Sequence, residues 1–471
     1  MAKTEKFKWG PFLKQLMVIA IPVSLQHLLT TTGSMVDTIM ISSLGELTVG
    51  AVGICGQFNS LLISAFWGFM SGGMLFISQY WGAQDEKGML RSYGIMWTLM
   101  MLVSAIFCIA AVCFPEEVMS LFTDKESIRE IGVQYLKIIG FNYPIMVFAC
   151  AVGAFLRSTE RVKVPLYASI LGVLTNVFFN YCLIEGHLGF PAMGVRGAAL
   201  ATVIGSAVNL LFVIIVSRIS GFKYLFHFKS HFQWKGALKP YFKKCFPILC
   251  NEILIGISNM LISIVFGHQS EAAIAAVAVI TTMEGIFISF FEGFSNAGSI
   301  LVGKSVGAGE LEEGYRRGPR IILVMAMVIA SLCGVFLLVC RPIFTAMGLS
   351  GDSYEIAKAM SFVFAVAMTF RMTNWVNNDI HRAAGDAVTG TVWEIGTMYL
   401  LVLPLLFIAA YVWKPAFVFI YACRYADEPV RALFLNIHLI RGRWIKPVTE
   451  EGRKALPAYC ERHNIPYKEA Q

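Results

Sequence analysis

The apolar positions of this chain fall into long, nearly unbroken runs, not into the short alternations of a half-buried sheet. The runs lie at about 15–41, 48–80, 92–114, 130–156, 164–184, 194–217, 246–267, 272–303, 321–340, 354–381, 388–412 and 415–438. A hydrocarbon core of ~30 Å is crossed by about 20 helical residues, so nearly every run is long enough. Lipid offers the backbone no hydrogen-bond partners, which leaves helices or the strands of a closed barrel. The length of the runs and their lack of strict alternation predict helices. The expected fold class is therefore an all-α polytopic membrane protein with about twelve transmembrane helices. The last run is the weakest, because it contains Arg424, Asp427, Glu428 and Arg431.

Composition narrows the field mainly by exclusion. Of 471 residues, 57% are hydrophobic and 14% charged, against about 25% charged in soluble domains. That rules out a soluble enzyme, a disordered scaffold and a nucleic-acid binder. Charge placement then sets the expected orientation. With a cytoplasmic N-terminus, 28 of the 38 Lys and Arg residues fall on the cytoplasmic side and six on the opposite side. Such an excess marks the inside, so both termini are expected to be cytoplasmic and the number of spans even. Lys3, Lys6, Lys8 and Lys14 resemble a signal-peptide start, but the apolar run continues through residues 17–35 without a small-residue cleavage site. It is read as a retained first span. Most of the eleven cysteines lie inside apolar runs and no CxxC pair occurs, which favours small buried hydrophobes over a disulfide framework or metal site.

One fixed shift, which carries Pro22 onto Pro247, aligns the two halves without a gap from the first apolar run to Arg157. Under it Glu46 falls on Glu271, Gly68-Phe69 on Gly293-Phe294, Gly73 on Gly298, Gly82-Ala83 on Gly307-Ala308, Arg91 on Arg316 and Arg157 on Arg382. Six spans per half give both repeats the same orientation, a parallel repeat whose lobes can rock about a central cleft. The expected domains are an N-lobe at 1–217, a cytoplasmic connector at 218–244, a C-lobe at 245–440 and a cytoplasmic tail at 441–471. The connector is basic and aromatic (Phe222, Tyr224, Phe226, Phe228, Phe232, Trp234). It reads equally as an interfacial segment on lipid headgroups or as a solvated linker.

Ionisable groups at membrane depth cost several kcal/mol unless they face a cavity or a partner, so they are the leading site candidates. Asp37 lies towards the outer end of the first span. Glu252 lies early in the seventh, Glu284 and Glu292 share a face of the eighth, Arg371 sits in the tenth and Glu394 in the eleventh. Asn176 and Asn180, four residues apart in the fifth span, share a helical face and could bond a carboxylate such as Asp37; interhelical amide packing is the plainer alternative. A salt bridge with Arg371 would explain Glu284 or Glu292 without function. A carboxylate in such a site can exchange a proton, a sodium ion or an organic cation, which is the physical basis of cation-coupled export. Gly298–Ser305 fits GxxxxGK[ST], but it ends a membrane helix, and its repeat counterpart lacks the lysine. A phosphate loop needs a strand before it and a helix after it. No nucleotide partner, cofactor or enzyme chemistry is expected.

The segments MVDTIMISSLGELTVGAVG at 35–53, AFLRSTERVKVPLYASILGVLTNVFFNYCLI at 154–184, FPAMGVRGAALATVIG at 190–205 and GSILVGKSVGAGE at 298–310 resemble the multidrug and toxic compound extrusion (MATE) family. The tail NIHLIRGRWIKPVT resembles its prokaryotic DinF-like branch. The resemblance implies two six-helix lobes in a bacterial inner membrane, exporting cationic or amphiphilic small molecules in exchange for H+ or Na+. On it, Asp37 and Asn176 match cation-coupling positions of the N-lobe. Asn180 stands where some members have a second aspartate. Glu252 resembles the seventh-helix glutamate of members that bind sodium in the C-lobe. Glu284, Glu292, Arg371 and Glu394 are expected as cavity lining. A flippase for lipid-linked oligosaccharides, from the same superfamily, is the alternative; it expects an Arg- and Lys-rich cavity. A membrane protein without transport is a third class.

Overall fold

A computed structural model of the chain describes residues 7–220 and 231–466. Lys3 and Lys6, and Phe222, Tyr224, Phe226 and Phe228 of the connector, lie outside the described residues. Every regular element within them is a helix. The first half contains α1 (Trp9–Ser42), α2 (Glu46–Gly82), α3 (Glu86–Cys113), α4 (Pro115–Ser120), α5 (Glu126–Ile139), α6 (Asn142–Ser158), α7 (Lys163–Ile184) and α8 (Val195–Ile219). The second half contains α9 (Leu238–Gly267), α10 (Glu271–Gly307), α11 (Leu311–Ala346), α12 (Gly351–Ala383), α13 (Ala387–Trp413), α14 (Phe417–Cys423), α15 (Asp427–Ile440) and α16 (Glu450–Arg462).

Among the described residues, ten helices are long and apolar enough to cross a membrane. The pair α5 and α6, bent by 48° at their junction, makes an eleventh if taken as one span. The run at 415–438 holds no helix long enough to span a membrane. It breaks at Arg424 into α14 and α15, and Asp427, Glu428 and Arg431 are buried. Charges packed inside the protein need partners there, and a short first half frees the chain to turn them inward. Outward faces are apolar: Ile39, Leu338, Phe362 and Leu400 are all well exposed, as lipid contact requires.

The helices repeat with the same shift as the sequence. Helices α2 and α10 are each 37 residues long. Their first residues are the matched pair Glu46 and Glu271, and their last residues the matched pair Gly82 and Gly307. The start of α3 corresponds to the start of α11, and the end of α6 to the end of α12, under that shift. Helix starts are capped by side chains at Asp85, Ser270, Asp386 and Thr449, each satisfying a backbone N–H left over by the first turn. The later part of α13 widens into π-type turns on either side of Pro404, at Met398–Val402 and Ile408–Trp413. Proline removes a donor and crowds the preceding turn, and a wider turn relieves that crowding.

The chain divides into two compact units. One, here the N-unit, is residues 28–256; the other, the C-unit, is residues 1–27 with 257–471. The boundaries of these units fall inside α1 and α9. The first part of α1 packs with the second repeat, and the first part of α9 with the first. Two glycines matched by the repeat show this exchange. A Cβ on Gly68 would meet the Leu249 side chain at 2.6 Å, within the N-unit. One on Gly293 would meet the Ser24 backbone nitrogen at 2.4 Å, within the C-unit. Ser24 and Leu249 are themselves a matched pair, so one helix contact is made twice.

Candidate functional site

In the N-unit, α1 and α7 approach closely at Gly33, where a Cβ would meet Val173 Cγ1 at 2.9 Å. One turn further along α1, Asp37 reaches α7. Asn180 Nδ2 donates to Asp37 Oδ1 at 2.5 Å, and Asn180 also meets Asn176 Oδ1 at 3.4 Å. Helices α7 and α8 touch at Gly172 and Gly205, which brings Asn176 Nδ2 to Thr202 Oγ1 at 3.3 Å. Asp37 is half-buried and Asn180 fully buried. The Asn180 Oδ1 atom is buried without a hydrogen-bond partner. A carboxylate thus sits beside an unmatched carbonyl oxygen. A carboxylate can take up a proton or a small cation, and an unpaired buried acceptor costs about 1–3 kcal/mol.

The remaining sequence candidates are distributed through other parts of the molecule. Glu252 is half-buried on the part of α9 that belongs to the N-unit. In the C-unit, Glu292 Oε2 lies 3.1 Å from His27 Nδ1 and borders a recess holding about 10 Å³ with Phe291, Ser295 and Trp375. Glu394 takes Arg431 Nη2 at 2.8 Å and Asn378 Nδ2 at 3.1 Å, so it belongs to a polar core joining α12, α13 and α15. Glu284 is bonded by Arg371 and lies 3.3 Å from Arg424 Nη1. Glu284, Arg371 and Arg424 line a cavity of about 470 Å³ in the C-unit, between α9, α10, α12 and the α14–α15 break.

Sequence reasoning missed three participants. Asp379 accepts from Ser295 Oγ at 2.6 Å and faces Arg382 at 3.6 Å; the dense polar stretch Asn374, Asn377, Asn378, Asp379 is its available signal. Arg424 counts against a span in the sequence, yet it is part of a cavity wall. Asp386 lies at the turn between α12 and α13. There it caps α13 and meets His438 Nε2 at 2.9 Å and Lys446 Nζ at 3.0 Å. Burial pushes the Asp386 carboxyl up, but the His438 hydrogen bond and the Lys446 ammonium outweigh this and hold it well below the usual carboxylate range.

Among the described residues, no group of three or more His, Cys, Asp or Glu side chains could hold a metal ion. Long apolar helices and an internal parallel repeat are the architecture of a polytopic membrane protein. A family model described as MatE matches residues 22–182 and again 247–408, its two starts falling on the matched prolines Pro22 and Pro247. The chain belongs to the MatE family of membrane transporters. It is 25% identical over 321 residues to the probable multidrug resistance protein YoeA of Bacillus subtilis (strain 168), covering 66% of this chain and 68% of that one. It is 24% identical over 422 residues to the uncharacterized transporter YisQ of the same strain, covering 87% and 90%. A crystal structure of a MATE transporter in complex with MaL6 superposes with a TM-score of 0.82 at 17% identity, over 91% of this chain and 97% of that one.

Proposed function

We propose that the chain exports cationic or amphiphilic small molecules across a bacterial inner membrane in exchange for H+ or Na+. The observation that carries this reading is the Asp37–Asn180 pair of the N-unit with its unmatched Asn180 carbonyl. A coupling ion needs a group whose charge it can cancel reversibly, and a substrate needs to compete for the same state of the protein. A half-buried carboxylate held by the Asn180 amide meets the first condition, because among the described residues no cationic side chain pairs with it. The six-helix repeat supplies the second through alternating access: a given state of the cluster is stabilised when it opens to one side of the membrane. Asn176 and Thr202 position Asn180, and Asn180 holds Asp37. The bias of basic residues supports cytoplasmic termini. The name of the Bacillus relative supports a multidrug range of substrates.

The test is ethidium efflux in everted vesicles. Asp37→Asn keeps the size and the hydrogen bond to Asn180 but removes the titrating charge. Efflux is expected to fall to the level of vesicles lacking the protein, with the variant folded and inserted. Efflux at the native rate by Asp37→Asn would remove the coupling role.

A further inference from the structure

Arg320 is the last charged residue before the apolar run at 321–340, and Trp9 stands just ahead of the run at 15–41. Both therefore lie where a span meets the headgroups, the depth at which tryptophan and basic side chains anchor helices. In the C-unit the two come together. The Phe7, Trp9 and Phe12 rings pack edge to face with centres 5.2–6.0 Å apart. The Arg320 guanidinium lies 4.0 Å from the centre of the Phe7 ring and 6.0 Å from that of Trp9. A ring face attracts a guanidinium and orients it, but leaves its charge in place. The nearby acids are engaged by other cations. Glu313 meets Arg317 at 2.8 Å, and Glu312 meets Arg316 at 3.6 Å, His463 at 2.9 Å and Arg462 at 3.8 Å. Glu310 stands at the start of α11, about 15 Å back along the helix axis from Arg320. Arg320 donates to the Arg316 carbonyl at 2.5 Å. Among the described residues it has no carboxylate partner, and neither has the exposed Lys8 between Phe7 and Trp9 in sequence. Past Arg320 the surface of α11 turns apolar. Leu323 and Met327 are 51% and 53% exposed, and their spacing of three and seven residues puts them on one stripe with Arg320.

We propose that Arg320 binds the phosphate of an anionic phospholipid whose acyl chain lies along Leu323 and Met327. The guanidinium fork suits phosphate oxygens. The bias of basic residues puts this end of α11 at the cytoplasmic leaflet, which presents anionic lipids. A choline headgroup would bring a further cation beside Lys8, so an anionic headgroup is preferred. The bound lipid joins the start of α1 to α11 within the C-unit. The site is separate from Asp37 and from the cavity at Glu284, and its occupancy is measured without transport.

The test is native mass spectrometry of the full chain in detergent, titrated with dioleoylphosphatidylglycerol or with dioleoylphosphatidylcholine. The first phosphatidylglycerol is expected to bind more tightly than the first phosphatidylcholine. Arg320→Gln should weaken phosphatidylglycerol about fivefold, some 1 kcal/mol, and leave phosphatidylcholine unchanged, which also shows the variant to be folded. Arg453→Gln removes the same charge from the exposed side of α16 and should bind both lipids like the native chain. Excess inorganic phosphate should not displace the phosphatidylglycerol, because the acyl chain contributes to binding. Equal affinity of the native chain for the two lipids, equal losses in Arg320→Gln and Arg453→Gln, or an equal loss of both lipids in Arg320→Gln would each overturn the site. Displacement by inorganic phosphate would overturn it in favour of a free-phosphate site. Asp37→Asn should bind phosphatidylglycerol like the native chain, so failure of the coupling role and failure of the lipid site are read separately.

Discussion

Single side chains in this protein are placed by what they can bond to at depth. Asn176 and Asn180 are legible as a pair because their spacing fixes a shared face, Asp37 is legible as a charge in an apolar run, and close helix approach at Gly33, Gly172 and Gly205 accompanies their meeting. Arg424 and Asp386 are not legible as site residues, since their partners Glu284 and His438 lie far away along the chain, and Asp379 is announced only by the polar stretch before it. Asp386 gives a direct check. Its depressed acidity means that its charge stabilises the folded state at and above the pKa of an unfolded aspartate, about 3.9. The contribution is lost as pH falls through the lower folded value. Asp386→Asn, which keeps a cap for α13 but loses the charge shared with His438 and Lys446, should cost about 1–2 kcal/mol at neutral pH. In thermal denaturation that deficit should hold from pH 7 to pH 5 and shrink below about pH 4. A deficit that persists undiminished at pH 3 would place the effect in packing instead.

At the scale of elements, the repeated glycine contacts decide how α1 and α9 pack. Gly293 sits where a Cβ would strike Ser24 and the Ala20 carbonyl, whereas Gly334 on α11 has nothing within 4 Å. Gly293→Ala should therefore lower thermal stability by about 1–3 kcal/mol through overpacking. Gly334→Ala should be neutral or stabilise by up to about 1 kcal/mol through helix propensity. Equal effects of the two would mean that the close approach does not constrain the fold. Runs of apolar residues locate most of the long helices within a few positions, because hydrophobic length alone specifies a span. The exceptions have local causes. Arg424 and the charged residues after it break the last run, since those side chains bond inward to Glu284, Glu394 and Asn374. Apolar patterning also gives no sign that the compact units divide α1 and α9. That division depends on which neighbour each half of a helix packs against, and hydropathy averages over both halves.

For the whole molecule, one repeat shift is visible in the residues, in the helix ends and in the double match of the family model. Its consequence is two units of one design carrying different chemistry: an amide-held carboxylate in one and an ion-paired cavity wall in the other. The account requires that an ion gradient alone can drive a substrate uphill through this chain. The direct measurement uses the purified chain in proteoliposomes with ethidium, a pH gradient or a sodium gradient imposed separately, and an ionophore to collapse each. The expected result is concentrative ethidium movement under at least one gradient, lost on adding the matching ionophore and lost in Asp37→Asn. Movement that only follows the ethidium gradient, unchanged by either ion gradient and by Asp37→Asn, would contradict it.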